Sequence, residues 1–288
     1  MSMHLKTAEP PGPAIRRVCR QHVNRALSCL DPANRSDAVH DARKEIKALR
    51  AVFRLARGSM TGGKYRATAA AMRLAAKPLA AARDARVTLK ALEVLAGGNA
   101  ARQFPAMRAA LTQNSRKENH RFKELDSAAV ATYVLQTLHR QLAALKIKTD
   151  WNALQSCFKK SYCRGRDAAK LARLAPSPLH FHEWRKLAKN FWYQLDFLCP
   201  KWPAKTKAMV EGLENLGDLL GDDHDLVLLV QFAAGHGGSA RETDKLKSAV
   251  EQRQKQLAAK IQSLGTRLFA PAPKMACRQI KRDWKEWR

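Results

Sequence analysis

The chain says the same thing twice. His40-Asp41-Ala42-Arg43-Lys44-Glu45-Ile46-Lys47 is followed 142 residues later by His182-Glu183-Trp184-Arg185-Lys186-Leu187-Ala188-Lys189, with histidine, acid, arginine and two lysines at the same offsets. A second pairing trails each: Arg83-Asp84 lies 43 and 44 residues after His40, and His224-Asp225 lies 42 and 43 after His182. A duplication fixes architecture, because each half must bury its apolar face against the other. This one preserves histidine and basic residues as well as apolar spacing, so it predicts a shared surface with a chemical task.

Few residues are β-branched, Ala and Leu are abundant, and apolar positions recur at three and four, so nearly the whole chain reads as amphipathic helix. The spacing predicts helices over 14–30, 36–57, 63–83, 85–96, 100–125, 128–146, 152–174, 178–198, 203–220, 223–235, 239–268 and 274–287. Breaks fall at Asp31-Pro32, Gly58, Gly62-Gly63, Gly97-Gly98, Pro176 with Pro178, Pro200 with Pro203, Gly235 to Gly238, and Pro271 with Pro273. The expected fold is all-α: two pseudo-symmetric antiparallel helical bundles packed around a basic central groove, with repeats of about 14–146 and 147–288 forming one domain. Residues 1–13 end in Pro10-Pro11-Gly12-Pro13 and carry no apolar run, which predicts a flexible tail and no signal peptide.

At roughly 100° per residue, His40, Arg43, Lys44, Lys47, Arg50 and Arg54 share an arc of about 120°. Ala42, Ile46, Leu49, Val52, Phe53 and Ala56 take the opposite side. The second helix repeats this, with His182, Arg185, Lys186, Lys189, Trp192 and Tyr193 facing Trp184, Leu187, Phe191, Leu195 and Leu198. Ordinary solvated faces mix signs to form ion pairs one turn apart. Here Asp41, Glu45 and Glu183 lie off the stripe, and such stacking of like charge points to an anion that neutralises it.

Composition agrees. Lys and Arg total 53 against 25 Asp and Glu, a formal charge of +28, which stores self-repulsion and points to a polyanionic partner. With 45% hydrophobic residues the chain has enough apolar surface for a sizeable core. No apolar run approaches the roughly 18 residues of a membrane span. The six cysteines form no C-x-x-C pair and read as free thiols of a reducing cytosol.

These motifs resemble the CHAD family, the conserved histidine α-helical domain. Its hallmark is similar to H-x-x-R-x-x-x-(K/R)-x-x-R early in each half, here His40/Arg43/Lys47/Arg50 and His182/Arg185/Lys189. Later in each half comes an L-G-x-x-(R/H)-D turn, here Leu79 to Asp84 and Leu220 to Asp225. The resemblance runs from about residue 14 onward. It implies an all-helical, pseudo-symmetric protein that binds inorganic polyphosphate in a basic groove between its halves. The sequence itself shows no tight cluster of metal ligands, so neither metal nor cofactor is expected, and the free thiols point to the cytoplasm, with polyphosphate granules as one candidate place there. Two departures, Ala80 in place of the turn's glycine and Trp192 at the place of Arg50, imply a lopsided groove. The E-x-E-x-K signature of the triphosphate-tunnel domain that often accompanies the family is absent from the sequence, so no catalysis is implied from that source.

Arg offers a planar fork to two phosphate oxygens, and Lys a mobile ammonium. Further candidates at helical spacing are Arg16 with Arg20, Arg73 with Lys77, and Arg116 with His120; Lys123, Lys159, Arg166, Lys170 and Arg173 add to the pool. Two other readings stay open. His182 with His224-Asp225 imitates the ligand order of an HD-like metal-dependent phosphohydrolase, although interleaved Arg185, Lys186 and Lys189 oppose a metal. The competing reading of Asp84 and Asp225 is helix capping at an interhelical turn. His180, opposite His182, reads as core or loop. Charge alone fits weak, nonspecific nucleic-acid binding, for which Trp284 and Trp287 are the one tempting stacking pair.

Overall fold

A computed structural model describes residues 3–31, 38–199, 201–236 and 239–287. Among these there is no strand, and no helix is long and apolar enough to cross a membrane. The helices are α1 (Pro11–Cys29), α2 (Ala38–Phe53), α3 (Gly62–Ala76), α4 (Ala80–Leu95), a single turn α5 (Ala100–Gln103), α6 (Pro105–Glu124), α7 (Ser127–Ala144), α8 (Trp151–Leu174), α9 (Pro178–Leu198), α10 (Ala204–Gly235), α11 (Ala240–Phe269) and α12 (Pro273–Trp287). The predicted breaks at Pro32, Pro200 and Gly237-Gly238, the first residues of the helix expected from 36, and the Trp287 side chain lie outside the described residues.

Local chemistry accounts for most of the ends. Asp126, Asp150, Ser177 and Ser239 each accept from a backbone N–H three residues on, at 3.4, 2.8, 3.2 and 3.2 Å. Pro105, Pro178 and Pro273 open helices, where a missing N–H costs nothing. Gly97 and Gly98 turn the chain after α4 at φ 58° and 81°.

Four boundaries differ from the expectation. The helix expected over 63–83 stops at Ala76, because Pro78 cannot continue it. The helix expected over 100–125 is interrupted at Phe104 (φ −141°, ψ 60°), pushed out of helical space by the following Pro105. The helix expected over 36–57 ends at Phe53 and tightens into a 3-10 stretch, Arg54–Ser59. The helices expected over 203–220 and 223–235 are one, since Leu220-Gly221-Asp222-Asp223 contains no residue that breaks a helix outright.

The described part of the N-terminal segment is a docked strap, not a free tail. Leu5 is 2% exposed, its N–H donates to the Phe197 carbonyl at 2.7 Å, and His4 Nδ1 bonds the Asp196 carbonyl at 2.6 Å. Apolar burial outweighs the polar look of the segment.

Helix contacts come in matching sets. α1 packs on α2 as α8 does on α9; α4 meets α6 as α10 meets α11; α1 meets α7 as α8 meets α12. The sets join where α2 lies on α9 and α4 on α10. The buried faces are those the sequence proposes. Ala42, Ile46, Leu49, Val52, Phe53 and Ala56 are buried on one side, and Trp184, Leu187, Phe191, Leu195 and Leu198 on the other.

Candidate functional site: a cationic cleft

With their apolar faces spent on the core, α2 and α9 turn their polar faces into a cleft of about 1060 Å³, whose other walls come from α4 and α10. Eleven sequence-predicted residues line it: His40, Arg43, Lys44, Lys47, Arg50, Arg54, His182, Arg185, Lys186, Lys189 and Tyr193. Six others do not. Arg16 donates to the Leu145 carbonyl at 3.2 Å, Arg20 points at His139 Nε2 at 3.3 Å, and His120 pairs with Glu124 at 3.0 Å on the exposed side of α6. Arg73, Lys77 and Arg116 are exposed outside the lining, Arg73 being near enough to Arg50 to repel it. Helical spacing marks a face without saying which neighbour it meets.

The sequence reading found Arg83 in the repeat without giving it an anion-binding role, and missed Arg86 and Lys90 on α4, Asn119, Asn190, and Arg253 on α11. The α4 residues repeat at three and four like the signature stripe, a signal that was there to be used. Arg253 stands among many charged residues of α11, and nothing in the sequence singles it out.

Twelve lysines and arginines line the cleft against six carboxylates, and the carboxylates are not where the need is greatest. Lys189 pairs with Asp218 at 2.7 Å while lying over the Trp192 ring at 5.3 Å. Arg83 bridges Asp84 at 3.0 Å and Asp225 at 3.5 Å, and Lys186 pairs with Glu183. Arg43 donates to the Ala76 carbonyl at 3.0 Å, at the end of α3 where the helix leaves carbonyls unpaired. Lys47, Arg50, Arg54 and Arg185 have no carboxylate at ion-pair distance among the described residues.

Lys47 feels this most. Desolvation by the cleft walls, then Arg185, Arg83, Arg43 and Lys189, push its amine from 10.5 down to about 7. Lys47 is nonetheless an exposed residue, open to water on the cleft side, and that water offsets part of both the desolvation and the repulsion; the downward direction stands on the four cations that press on the amine and the lack of a carboxylate at ion-pair distance among the described residues. Burial likewise lowers Arg43, Arg50, Arg54 and Arg185 from the usual guanidinium value.

His182 and His224 meet at the cleft wall, ring centroids 4.3 Å apart. Both are pulled below the ordinary imidazole value, His224 to about 4, by desolvation first and neighbouring positive charge second, so both are neutral at pH 7. Asp225 is raised by desolvation against the pull of Arg83 and Arg185. Among the described residues no group of three or more His, Cys, Asp or Glu is arranged to hold a metal. The capping reading is overturned: Asp84 lies inside α4 and Asp225 in the middle of α10, and each faces Arg83. His180 is neither core nor loop: it lies half-buried in the first turn of α9, bonded to the Ala175 carbonyl at 2.5 Å. Trp284 is buried and stacks on Trp151 at 3.8 Å, so it offers no platform for a base.

The crystal structure of the CHAD domain from the plant Ricinus communis superposes with a TM-score of 0.63 at 17% identity, covering 98% of this chain and 95% of that one. At this identity the likeness speaks for the fold. No curated protein matches the chain. The family model described as CHAD domain matches residues 14–234, the span that holds both signature helices and both later motifs, Leu79 to Asp84 and Leu220 to Asp225. The chain belongs to the CHAD family.

Proposed function

We propose that the protein binds inorganic polyphosphate as a long chain laid in this cleft, and does not turn it over. One observation carries the reading: Lys47, Arg50, Arg54 and Arg185 are crowded together, partly desolvated, with no carboxylate at ion-pair distance among the described residues. Desolvating cations without counter-charge is unfavourable in the free protein, and an entering polyanion removes that penalty. Polyphosphate carries a negative charge on every phosphate and no base edges, so it needs a line of forks and point charges. Arg43, Lys47 and Arg50 from the first half act with Arg185 and Lys189 from the second on one ligand. The role is that of a cytoplasmic binder at polyphosphate granules, needing neither metal nor cofactor, with weak nucleic-acid binding as a by-product of net charge.

Competition of long-chain polyphosphate against duplex DNA at fixed salt tests this. Polyphosphate should displace DNA, bind one chain per monomer, and lose affinity steeply with salt. Lys47→Ala or Lys189→Ala should each weaken binding by about 1–3 kcal/mol, the range for hydrogen bonds to charged groups, while exposed Lys255→Ala changes little. DNA binding tighter than polyphosphate, or rapid orthophosphate release by metal-loaded protein, overturns the proposal.

A further inference from the structure

Lys189 and Arg185 reach the cleft by crossing α10, and at both crossings the residue beneath is glycine. A Cβ at Gly217 would lie 2.5 Å from Cε of Lys189, 2.7 Å from Cδ and 3.0 Å from Cγ; one at Gly221 would lie 3.2 Å from Nη2 of Arg185. The two cations are one turn apart on α9, and the two glycines are one turn apart on α10, in opposite order as antiparallel neighbours require. Asp218, beside Gly217, holds the Lys189 ammonium at 2.7 Å. Glycine is a poor helix former, yet α10 carries two at the very turns these side chains cross.

The sequence repeat supplies a comparison inside the molecule. In the first half Ala80 stands where the second has Gly221, and Ala76 where it has Gly217. There Arg43, the counterpart of Arg185, turns to the Ala76 carbonyl at 3.0 Å. Lys47, the counterpart of Lys189, has no carboxylate partner among the described residues. There the helix is also broken between Ala76 and Ala80, so the first half has neither the bare backbone nor the continuous helix over which Lys189 and Arg185 run.

We infer that Gly217 and Gly221 are positioning residues of the anion site: their bare backbone seats Lys189 and Arg185 flat on α10, so that two cations of the cleft point where a phosphate chain passes. The inference rests on the polyphosphate reading of the cleft.

Long-chain polyphosphate titrated into single variants tests it. Gly217→Ala should lower affinity about tenfold and reduce the dependence of log K on log salt by about one contact, as losing one lysine–phosphate contact does. Its Tm should be equal or higher, because alanine favours the helix. Gly221→Ala, where the guanidinium need shift only by a few tenths of an ångström, should lose less. In the Lys189→Ala background, Gly217→Ala should have no further effect on binding. A misfolded Gly217→Ala that regains its fold in that background supports the contact; one that stays misfolded overturns the inference. So do native-like affinity in Gly217→Ala and losses that multiply with Lys189→Ala. Native protein that fails to bind polyphosphate refutes the reading of the cleft itself, a different failure from native binding with an indifferent glycine.

Discussion

Binding should carry a proton signature set by Lys47. A group at about 7 is about one-tenth protonated at pH 8, and beside phosphates its pKa returns toward 10.5, where it is almost fully protonated. Each chain bound through Lys47 should therefore take up about 0.9 proton at pH 8, and if water in the cleft restores a full unit, about 0.5. The sign follows: at Lys47 the free protein holds fewer protons than the complex, so the Lys47 contribution lowers affinity as pH rises, by close to a factor of ten per unit above pH 7 and hardly at all below 6. His182 and His224 do not confuse the pH 8 window, because even at the ordinary 6.5 an imidazole is only about 3% protonated there. They govern a second window near pH 6, where His224 rises from about 4. Calorimetry in HEPES and in Tris, which differ in ionisation enthalpy, reads the uptake directly. Lys47→Arg keeps the charge but does not titrate in this range, so it should bind and show almost no uptake at pH 8 while retaining the signal near pH 6. Zero uptake in the native protein at pH 8, or undiminished uptake in Lys47→Arg, refutes the argument.

Two further tests address packing. A Cβ at Gly265 would lie 2.2 Å from Cη2 of the fully buried Trp184, so Gly265→Ala should destabilise by about 1–3 kcal/mol in denaturant melts, the reverse of the result expected at Gly217. Leu5→Ala should cost about 2–3 kcal/mol because Leu5 is 2% exposed; a flexible tail would show no change in midpoint.

The repeat and its periodicity made the signature helices legible, since a stripe such as Arg43, Lys47, Arg50 opposite Ile46, Leu49, Phe53 leaves α2 only one way to face the core. Proline was legible in principle: Pro78 and Pro105 each end or interrupt a helix that apolar spacing alone would extend. The Leu220 to Asp225 segment misled, because Gly and Asp resemble a turn when read singly, whereas the packing of α10 on α9, α4 and α11 keeps the helix intact. Arg253 and the strap at Leu5 depend on contacts far apart in the chain, Leu5 with Phe197 for one, and no local pattern encodes those.

The family match ends at residue 234, but the hydrophobic core does not. Gly265 and Phe269 of α11 lie against Trp184, and Trp284 of α12 stacks on Trp151 while Asp283 accepts from buried Thr206 at 2.6 Å. A fragment cut to the matched span would uncover the back of the very helix that presents Arg185 and Lys189. It would also leave Thr206 without its acceptor. The unit that can be expressed and assayed is set by what covers Trp184 and Trp151, and it runs at least from the strap at Leu5 to the far end of α12.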